Sequence, residues 1–249
     1  MSKSLRKTIN SALWEALKPP LQAAGFEKFK GNHSFRYLED RIDILELRMA
    51  KSGENADYRT PPNSFSIEVG VFFRFAPHPM GNMFEGEENL PVNSPIDGHF
   101  RISSRPNLLL QSGWNSPWWR VDSWNLRRRF ILPDVQKNIE NYLIPWFDKF
   151  DNLDDVRAHV LEINESGGGQ QTTKRSADSW GWVYGFKTLP AFIALHLEHW
   201  VEAKERLSAL LKEPHPGYKT DRQKYPEKLY HNIEDMLTEG LARAESHLS

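Results

Sequence analysis

The sequence predicts an α+β protein in which an antiparallel sheet, covered by an amino-terminal helix, is followed by a helical carboxy-terminal region. Three observations predict this class: strict alternation of apolar residues over 65–75, two alternating segments joined by a short polar turn before it, and helical periodicity at both ends of the chain. We expect residues 1–150 to form the sheet domain and residues 151–249 a helical region packed on it.

Residues 3–24 are predicted to form the covering helix, because apolar residues recur there at helical spacing. These residues are Leu5, Ile9, Ala12, Leu13, Ala16, Leu17, Leu21 and Ala24. We expect Pro19 and Pro20 to kink or divide the helix. Gly25 should end it, since glycine readily takes the left-handed conformation in which helices commonly stop.

Two strands, 29–38 and 41–49, are expected to form an antiparallel hairpin around the polar pair Glu39 and Asp40. In the second strand Leu45, Leu47 and Met49 alternate with other residues and therefore suit the core face.

The segment 65–75 is expected to be the central strand of the sheet. Its apolar face would carry Phe65, Ile67, Val69, Val71, Phe73 and Phe75, and its other face Ser66, Glu68, Gly70, Phe72 and Arg74. Gly70 would allow another stretch of backbone to approach closely.

The remaining elements are predicted by composition and periodicity. We expect a long surface loop at 76–95, a strand at 99–105, and short edge strands at 108–110 and 118–121 beside Pro106 and Pro117. A helix should follow from Pro133 to about Phe150 with a kink at Pro145, and a second helix, capped by Asn152 or Asp151, should end at about 163. We then expect a linker at 166–178 and helices at 188–212 and 226–247.

Composition excludes several kinds of protein. The chain has no cysteine, so disulfides, thiolate nucleophiles and cysteine-ligated metals are excluded. The formal net charge of -1 provides no overall field to attract nucleic acid or lipid. We find neither a secretory signal nor an apolar run that would span a membrane, and therefore expect a cytoplasmic protein without a membrane partner.

Several short segments of the first half resemble a known family. The segments are Gly25-Phe26, Lys30-Gly31-Asn32 with Phe35 and Arg36, Ala50-Lys51-Ser52, and the strand at 65–75. Over roughly residues 5–150 the chain resembles the bacterial domain of unknown function four-three-zero-four. The resemblance implies the fold of the first half. It implies no activity, cofactor or catalytic residue.

One candidate site is the polar face of the predicted sheet. Its side chains would be Glu46, Arg48, Glu68, Arg74, His99 and Arg101. Such mixed charge would suit a polar ligand. The simpler interpretation, which we favour, is a solvated sheet face with cross-strand ion pairs.

A second candidate combines aromatic rings with arginines. It consists of Trp114, Trp118, Trp119 and Trp124 with Arg120, Arg127, Arg128 and Arg129. Residues 94–132 contain six Arg, no Lys and two Asp, a local net charge of +4. Such a surface would suit a protein interface or the stacking of bases, whereas tryptophan is also a common core residue.

Other motifs are weaker. His196 and His199 are three residues apart, whereas the zinc-binding HExxH motif places its histidines four apart, so we expect His196 to be a hydrogen-bonded core histidine. The triple glycine at 167–169 lacks the residues of a phosphate-binding loop, and no motif of a nucleophilic enzyme is present.

These observations favour a non-catalytic module that binds another protein and needs no cofactor or metal. The alternative is an enzyme or binder that acts on nucleic acid or phosphorylated small molecules through the polar sheet face. A setting in toxin immunity or phage defence is suggested by analogy alone.

Overall fold

The computed structural model of the protein describes residues 3–50, 64–77, 94–95, 98–103, 119–121, 123–165, 182–183, 188–212 and 228–249. In these ranges an amino-terminal helix, an antiparallel sheet and a series of helices follow one another along the chain. This order confirms the predicted α+β class. The predicted strand at 108–110 and linker at 166–178 lie outside the described residues, as does most of the predicted loop at 76–95.

The described strands form a single antiparallel sheet. They are β1 (Lys28–Lys30), β2 (His33–Tyr37), β3 (Arg41–Met49), β4 (Ser64–Phe73), β5 (Phe100–Ser103), β6 (Trp119–Arg120) and β7 (Trp182–Val183). Their spatial order is β1-β2-β3-β4-β5-β7, and β6 also pairs with β4. The long β3–β4 pair, which runs from Arg41 opposite Phe73 to Met49 opposite Phe65, is the centre of the sheet.

The described helices precede and follow the sheet. They are α1 (Lys3–Ala23), α2 (Trp124–Asn138), a π-helical turn (Ile139–Leu143), α3 (Ile144–Asp148), a 3-10 turn (Lys149–Asp151), α4 (Leu153–Glu165), α5 (Leu189–His196), α6 (Trp200–Lys212) and α7 (Lys228–Leu248). The π-helical turn ends two residues before Pro145, which cannot donate a backbone hydrogen bond, so the helix is irregular where the sequence predicts a kink.

The core lies between one face of the sheet and the helices. Every predicted core residue of β4 from Phe65 to Phe73 is fully buried. The ring of Phe150 packs edge-on against Phe73 and Phe100, at centroid distances of 6.3 and 4.8 Å. Because burial of one such side chain contributes about 1.5–3 kcal/mol, β4 is a major source of stability.

Helix α1 continues through Pro19 and Pro20, so the division of the helix that the sequence analysis allows for does not occur. Leu13 and Leu17 precede the prolines, Leu21 follows them, and all three are fully buried. Packing on both sides thus holds one continuous helix. Gly25 ends it as predicted, with φ of +87°, and the N–H of Phe26 donates to the carbonyl of Leu21 at 2.9 Å.

The predicted strand 29–38 is in fact two strands, β1 and β2, which reverse at Gly31 and Asn32. Gly31 has φ of +61°, and its carbonyl accepts a hydrogen bond of 3.1 Å from the indole N–H of Trp14. The side chain of Asn32 accepts another from Asn10, also at 3.1 Å. The turn is therefore attached to α1 by two side chains.

The predicted helix 188–212 is also divided. α5 ends at His196 and α6 begins at Trp200, and between them Glu198 has a left-handed backbone with φ of +60°. The two helices have different surroundings: residues 189–195 are all buried, whereas α6 buries only Ala203 and Leu207. A change of direction is needed for a core helix to be followed by a surface helix. By contrast, α4 begins as predicted, capped by the side chain of Asn152.

The carboxy-terminal helices are joined by polar and aromatic contacts. Arg157 of α4 and Arg206 both donate to Glu202 of α6, and these bonds hold the pKa of Glu202 below its usual value although burial opposes them. The rings of Trp200 and His247 stack at 4.0 Å, which ties α6 to α7. The core contains residues from both parts of the predicted division at residue 150, and that division remains a prediction.

A buried carboxylate and two arginines form a group of ion pairs in the core, next to the hairpin of β2 and β3. The carboxylate of Asp43 is fully buried on the core face, beside Val71 of β4. It accepts hydrogen bonds from Arg36 Nε at 2.7 Å and from Arg41 Nε at 3.1 Å. Arg41 also donates to Asp151 at 2.6 Å. Burial raises the pKa of Asp43, an effect that the charges of the two guanidinium groups oppose.

We predict that Asp43→Ala lowers the free energy of unfolding by about 3–5 kcal/mol. The substitution leaves two guanidinium groups without the carboxylate between them, and the guanidinium group of Arg41 is buried. Urea unfolding measures this change. Glu39→Ala, at the exposed hairpin turn, is the matched control and should stay within about 0.5 kcal/mol of the parent. Equal effects of the two substitutions would contradict the assigned role of Asp43.

Candidate functional site

Four of the six side chains predicted on the polar sheet face lie together, with one more that the sequence analysis missed. We call this group the charged cluster; it consists of His33, Glu46, Arg48, Glu68 and Arg101. The strand register brings them together: Glu46 lies opposite both His33 and Glu68. Arg48 lies opposite Ser66, and Arg101 opposite Gly70. His33 could have been found once the turn at Gly31 and Asn32 had set the register of β2.

Glu68 is the centre of the charged cluster. One of its carboxylate oxygens accepts a hydrogen bond from Arg48 at 2.6 Å, and the other accepts one from Arg101 at 2.6 Å. Glu68 is only 4% exposed, whereas both arginines keep part of their side chains in solvent. A buried carboxylate thus holds two partly exposed guanidinium groups in fixed positions.

Glu46 is the second carboxylate of the charged cluster and is less buried. Its Oε1 lies 3.7 Å from Nε2 of His33. Burial alone would raise the pKa of Glu46, but the neighbouring side chains of His33, Arg48 and Arg101 hold it below its usual value. At neutral pH Glu46 is therefore ionised, which suits the binding of a cation better than proton transfer.

The centre of this face is covered, so the expectation of a solvated sheet face is wrong there. A Cβ added to Gly70 would lie 2.7 Å from the carbonyl oxygen of Pro95, so the backbone at Pro95 occupies the space that glycine leaves open, as the sequence predicts for Gly70. Ser66 is only 1% exposed, and its hydroxyl has no hydrogen-bond partner among the residues that the structure describes. The charged cluster therefore has a buried centre at Glu68, next to Ser66, whereas Arg48 and Arg101 at its edge are partly exposed.

The other two predicted residues of this face have different roles. His99 is buried: its Nδ1 accepts the N–H of Phe73 at 3.0 Å, and its Nε2 donates to the carbonyl of Pro77 at 2.8 Å. Both ring nitrogens are thus occupied by backbone. Arg74 reaches the carbonyls of Leu38 and Glu39, at the opposite end of the β3–β4 pair from Arg48.

The described tryptophans of the second candidate site are core residues. Trp119 is 2% exposed, its ring stacks on Phe65 at 5.1 Å, and its N–H donates to Asp134 at 2.7 Å. Trp124 is buried as well. These two rings cannot stack with a partner. Trp114 and Trp118 lie outside the described residues. Arg120 is exposed on β6, opposite Ser64.

Three arginines of the second candidate lie in the first turns of α2, where the side chains are exposed. We call Leu126, Arg127, Arg128, Arg129 and Phe130 the basic ridge. All five side chains are exposed, and Leu126 and Phe130 are 72% and 65% exposed. The guanidinium of Arg129 lies 4.7 Å from the ring centre of Phe130. The sequence signal that was missed is the pair of apolar residues at i and i+4 beside the three arginines.

His196 is not the core histidine that the sequence predicts. It is exposed at the end of α5, because the helix stops there, and its ring stacks on Phe75 at 4.2 Å. β4 ends at Phe73, two residues before the predicted end of the strand, so Phe75 lies just beyond it. Among the described residues there is no group of three side chains that would hold a metal ion, and none of their helices is long and apolar enough to span a membrane.

We predict that Gly70→Ala lowers the free energy of unfolding by about 1–3 kcal/mol, since the new methyl group would collide with the backbone of Pro95. Ser66→Ala, on the same face of the same strand, is the control. Removal of a buried hydroxyl without a partner should be neutral or slightly stabilising. Urea unfolding compares the two variants, and an unchanged Gly70→Ala protein would show that Pro95 does not cover the strand.

A family model described as Domain of unknown function (DUF4304) matches residues 17–149, which include the whole charged cluster and the basic ridge. No curated protein and no solved structure matches the chain. The matched segment is more than half of the 249 residues, and the chain therefore belongs to the DUF4304 family.

Proposed function

We propose that the chain is a non-catalytic protein-binding module whose basic ridge binds an acidic partner protein. The observation that carries this proposal is the exposure of five consecutive residues, 126–130, at the start of a helix whose later residues Ile131 and Val135 are buried. Exposed Leu126 and Phe130 would supply the apolar contact. Arginine and aromatic residues are common anchors of protein interfaces, which supports this choice.

Charge complementarity supports an acidic partner. From Trp124 to Pro133 the chain has three arginines and no acidic residue. The first acidic residue of α2, Asp134, accepts the hydrogen bond of Trp119. In the described part of the chain the side chains of Arg127 and Arg128 form no hydrogen bond or ion pair. Positive charges near the amino-terminal end of a helix also oppose its dipole, and carboxylates of a partner would relieve that repulsion.

The state of the possible catalytic groups supports a function without catalysis. Glu68 is held by two arginines, and both nitrogens of His99 are bound by backbone groups. A general acid or base needs a free position towards a substrate, and neither side chain has one. We further propose a bacterial cytoplasmic setting such as toxin immunity or phage defence; the absence of cysteine fits a reducing compartment.

The experiment begins with a photo-crosslinking amino acid at position 126 of the full chain, expressed in its native cells, and mass spectrometry of the products. The crosslinked protein is then purified, and its affinity for the unmodified chain is measured by calorimetry. We expect a partner with an acidic surface. Crosslinks to nucleic acid alone, or a purified partner that does not bind, would overturn the proposal.

We predict that Leu126→Ala with Phe130→Ala weakens binding of that purified partner at least about tenfold, because truncated anchors at an interface commonly cost more than 1 kcal/mol each. Arg127→Glu with Arg128→Glu should mainly slow association and remove its salt dependence. Lys137→Glu, exposed near the other end of the same helix, is the control and should bind as the parent does. Equal binding by all four proteins would place the partner elsewhere.

A further inference from the structure

We propose that the charged cluster is a binding site for a small zwitterion of the amino acid class, which carries one carboxylate and one ammonium group. This site is separate from the basic ridge, because it lies on strands β2 to β5 and the ridge lies on α2. The two proposals therefore stand or fall independently.

Arg101 is the group that would bind the ligand's carboxylate. Its hydrogen bond to Glu68 uses one of the five N–H donors of a guanidinium, and the side chain remains partly exposed. Glu68, being buried and bonded on both oxygens, fixes the orientation of Arg101 before a ligand arrives. A fixed guanidinium loses little freedom when it binds a carboxylate, which favours affinity for a small ligand.

Glu46 is the group that would bind the ligand's ammonium. It is ionised, lies directly opposite Glu68 on the neighbouring strand, and faces solvent along part of its side chain. Unlike Glu68, it forms no hydrogen bond with an arginine in the described part of the chain. Glu46 lies on β3 and Arg101 on β5, on either side of β4. The backbones that carry the negative and the positive side chain are therefore two strand spacings apart, roughly 10 Å.

The buried hydroxyl of Ser66 is a second, independent polar group on this face that suits a ligand. Its hydroxyl is buried on the same face as Glu68 and opposite Arg48, and within the described ranges it has no hydrogen-bond partner. A buried hydroxyl without a partner costs free energy that a ligand oxygen or nitrogen would recover.

The charge balance selects a zwitterion over an anion. The two glutamates and two arginines of the charged cluster balance one another's formal charges. A phosphate group would meet the carboxylates of Glu46 and Glu68, and a simple amine would meet two guanidinium groups. A ligand with both charges satisfies each side of the cluster, which argues against the phosphorylated ligand considered from the sequence.

The test is calorimetric titration of the full chain with three zwitterions of increasing length: glycine, β-alanine and γ-aminobutyrate. The matched probes are acetate, propionate and butyrate, which lack the amine, methylamine, which lacks the carboxylate, and inorganic phosphate. We expect at least one zwitterion to bind at least about tenfold more tightly than its amine-free counterpart, because a charge-assisted hydrogen bond is lost. Equal or tighter binding of the carboxylates or phosphate, or no binding at all, would overturn the proposal.

Two variants locate the site. Glu46→Gln keeps the size of the side chain and should remove the preference for the zwitterion while leaving the weak binding of the simple carboxylate unchanged. Ser66→Ala should also weaken zwitterion binding, and its fold is checked by its thermal unfolding. Glu39→Gln, at the exposed hairpin turn, should bind as the parent does. Unchanged zwitterion binding in both Glu46→Gln and Ser66→Ala would exclude the charged cluster as the site.

Discussion

The pairing of the buried Asp43 carboxylate with two arginines is the constraint on which the arrangement of the first half depends. A carboxylate cannot stay ionised in an apolar core without partners, and Arg36 and Arg41 supply them. The same two arginines reach outward: Arg36 donates to the carbonyl of Ala24 at the end of α1, and Arg41 donates to Asp151 after α3. One buried charge therefore fixes the position of the hairpin against the elements before and after the sheet.

The same constraint determines the opposite face of the sheet. Side chains alternate along β3, so Glu46 and Arg48 lie on the face opposite to Asp43 and Leu45. The pairing of β3 with β4 fixes which residues of β4 they meet. A slip by one residue would move Asp43 out of the core and bury Glu46 instead. The register that satisfies Asp43 is thus the register that places Glu46 beside Glu68. In this way an interaction within the core builds a polar site outside it.

The sequence predicted what depends on local pattern and missed what depends on contacts between distant residues. Alternation along β4, the end of α1 at Gly25 and the close approach at Gly70 are local properties, and all three are confirmed. The break at Glu198 was missed because the apolar spacing continues across it. The turn at Gly31 was missed because both of its strands alternate, although Gly-Asn is a known hairpin signal. Similarly, no pattern shows that the ring of Trp119 is covered by Phe65.

The arginines of the two proposed sites differ in a way that separates their roles. Arg48 and Arg101 are bonded to a buried carboxylate, so their positions are fixed and their charge is largely balanced within a few ångströms. Such groups attract little from a distance but select a small ligand by geometry. Arg127 and Arg128 lie near the exposed start of α2 with no acidic neighbour in sequence. The positive electrostatic field of their guanidinium groups therefore extends into solvent over the distance set by screening by salt. Charges of this kind speed the encounter with a large, oppositely charged surface. The separation of balanced and unbalanced arginines is therefore the physical reason to propose a small ligand for the charged cluster and a macromolecule for the basic ridge.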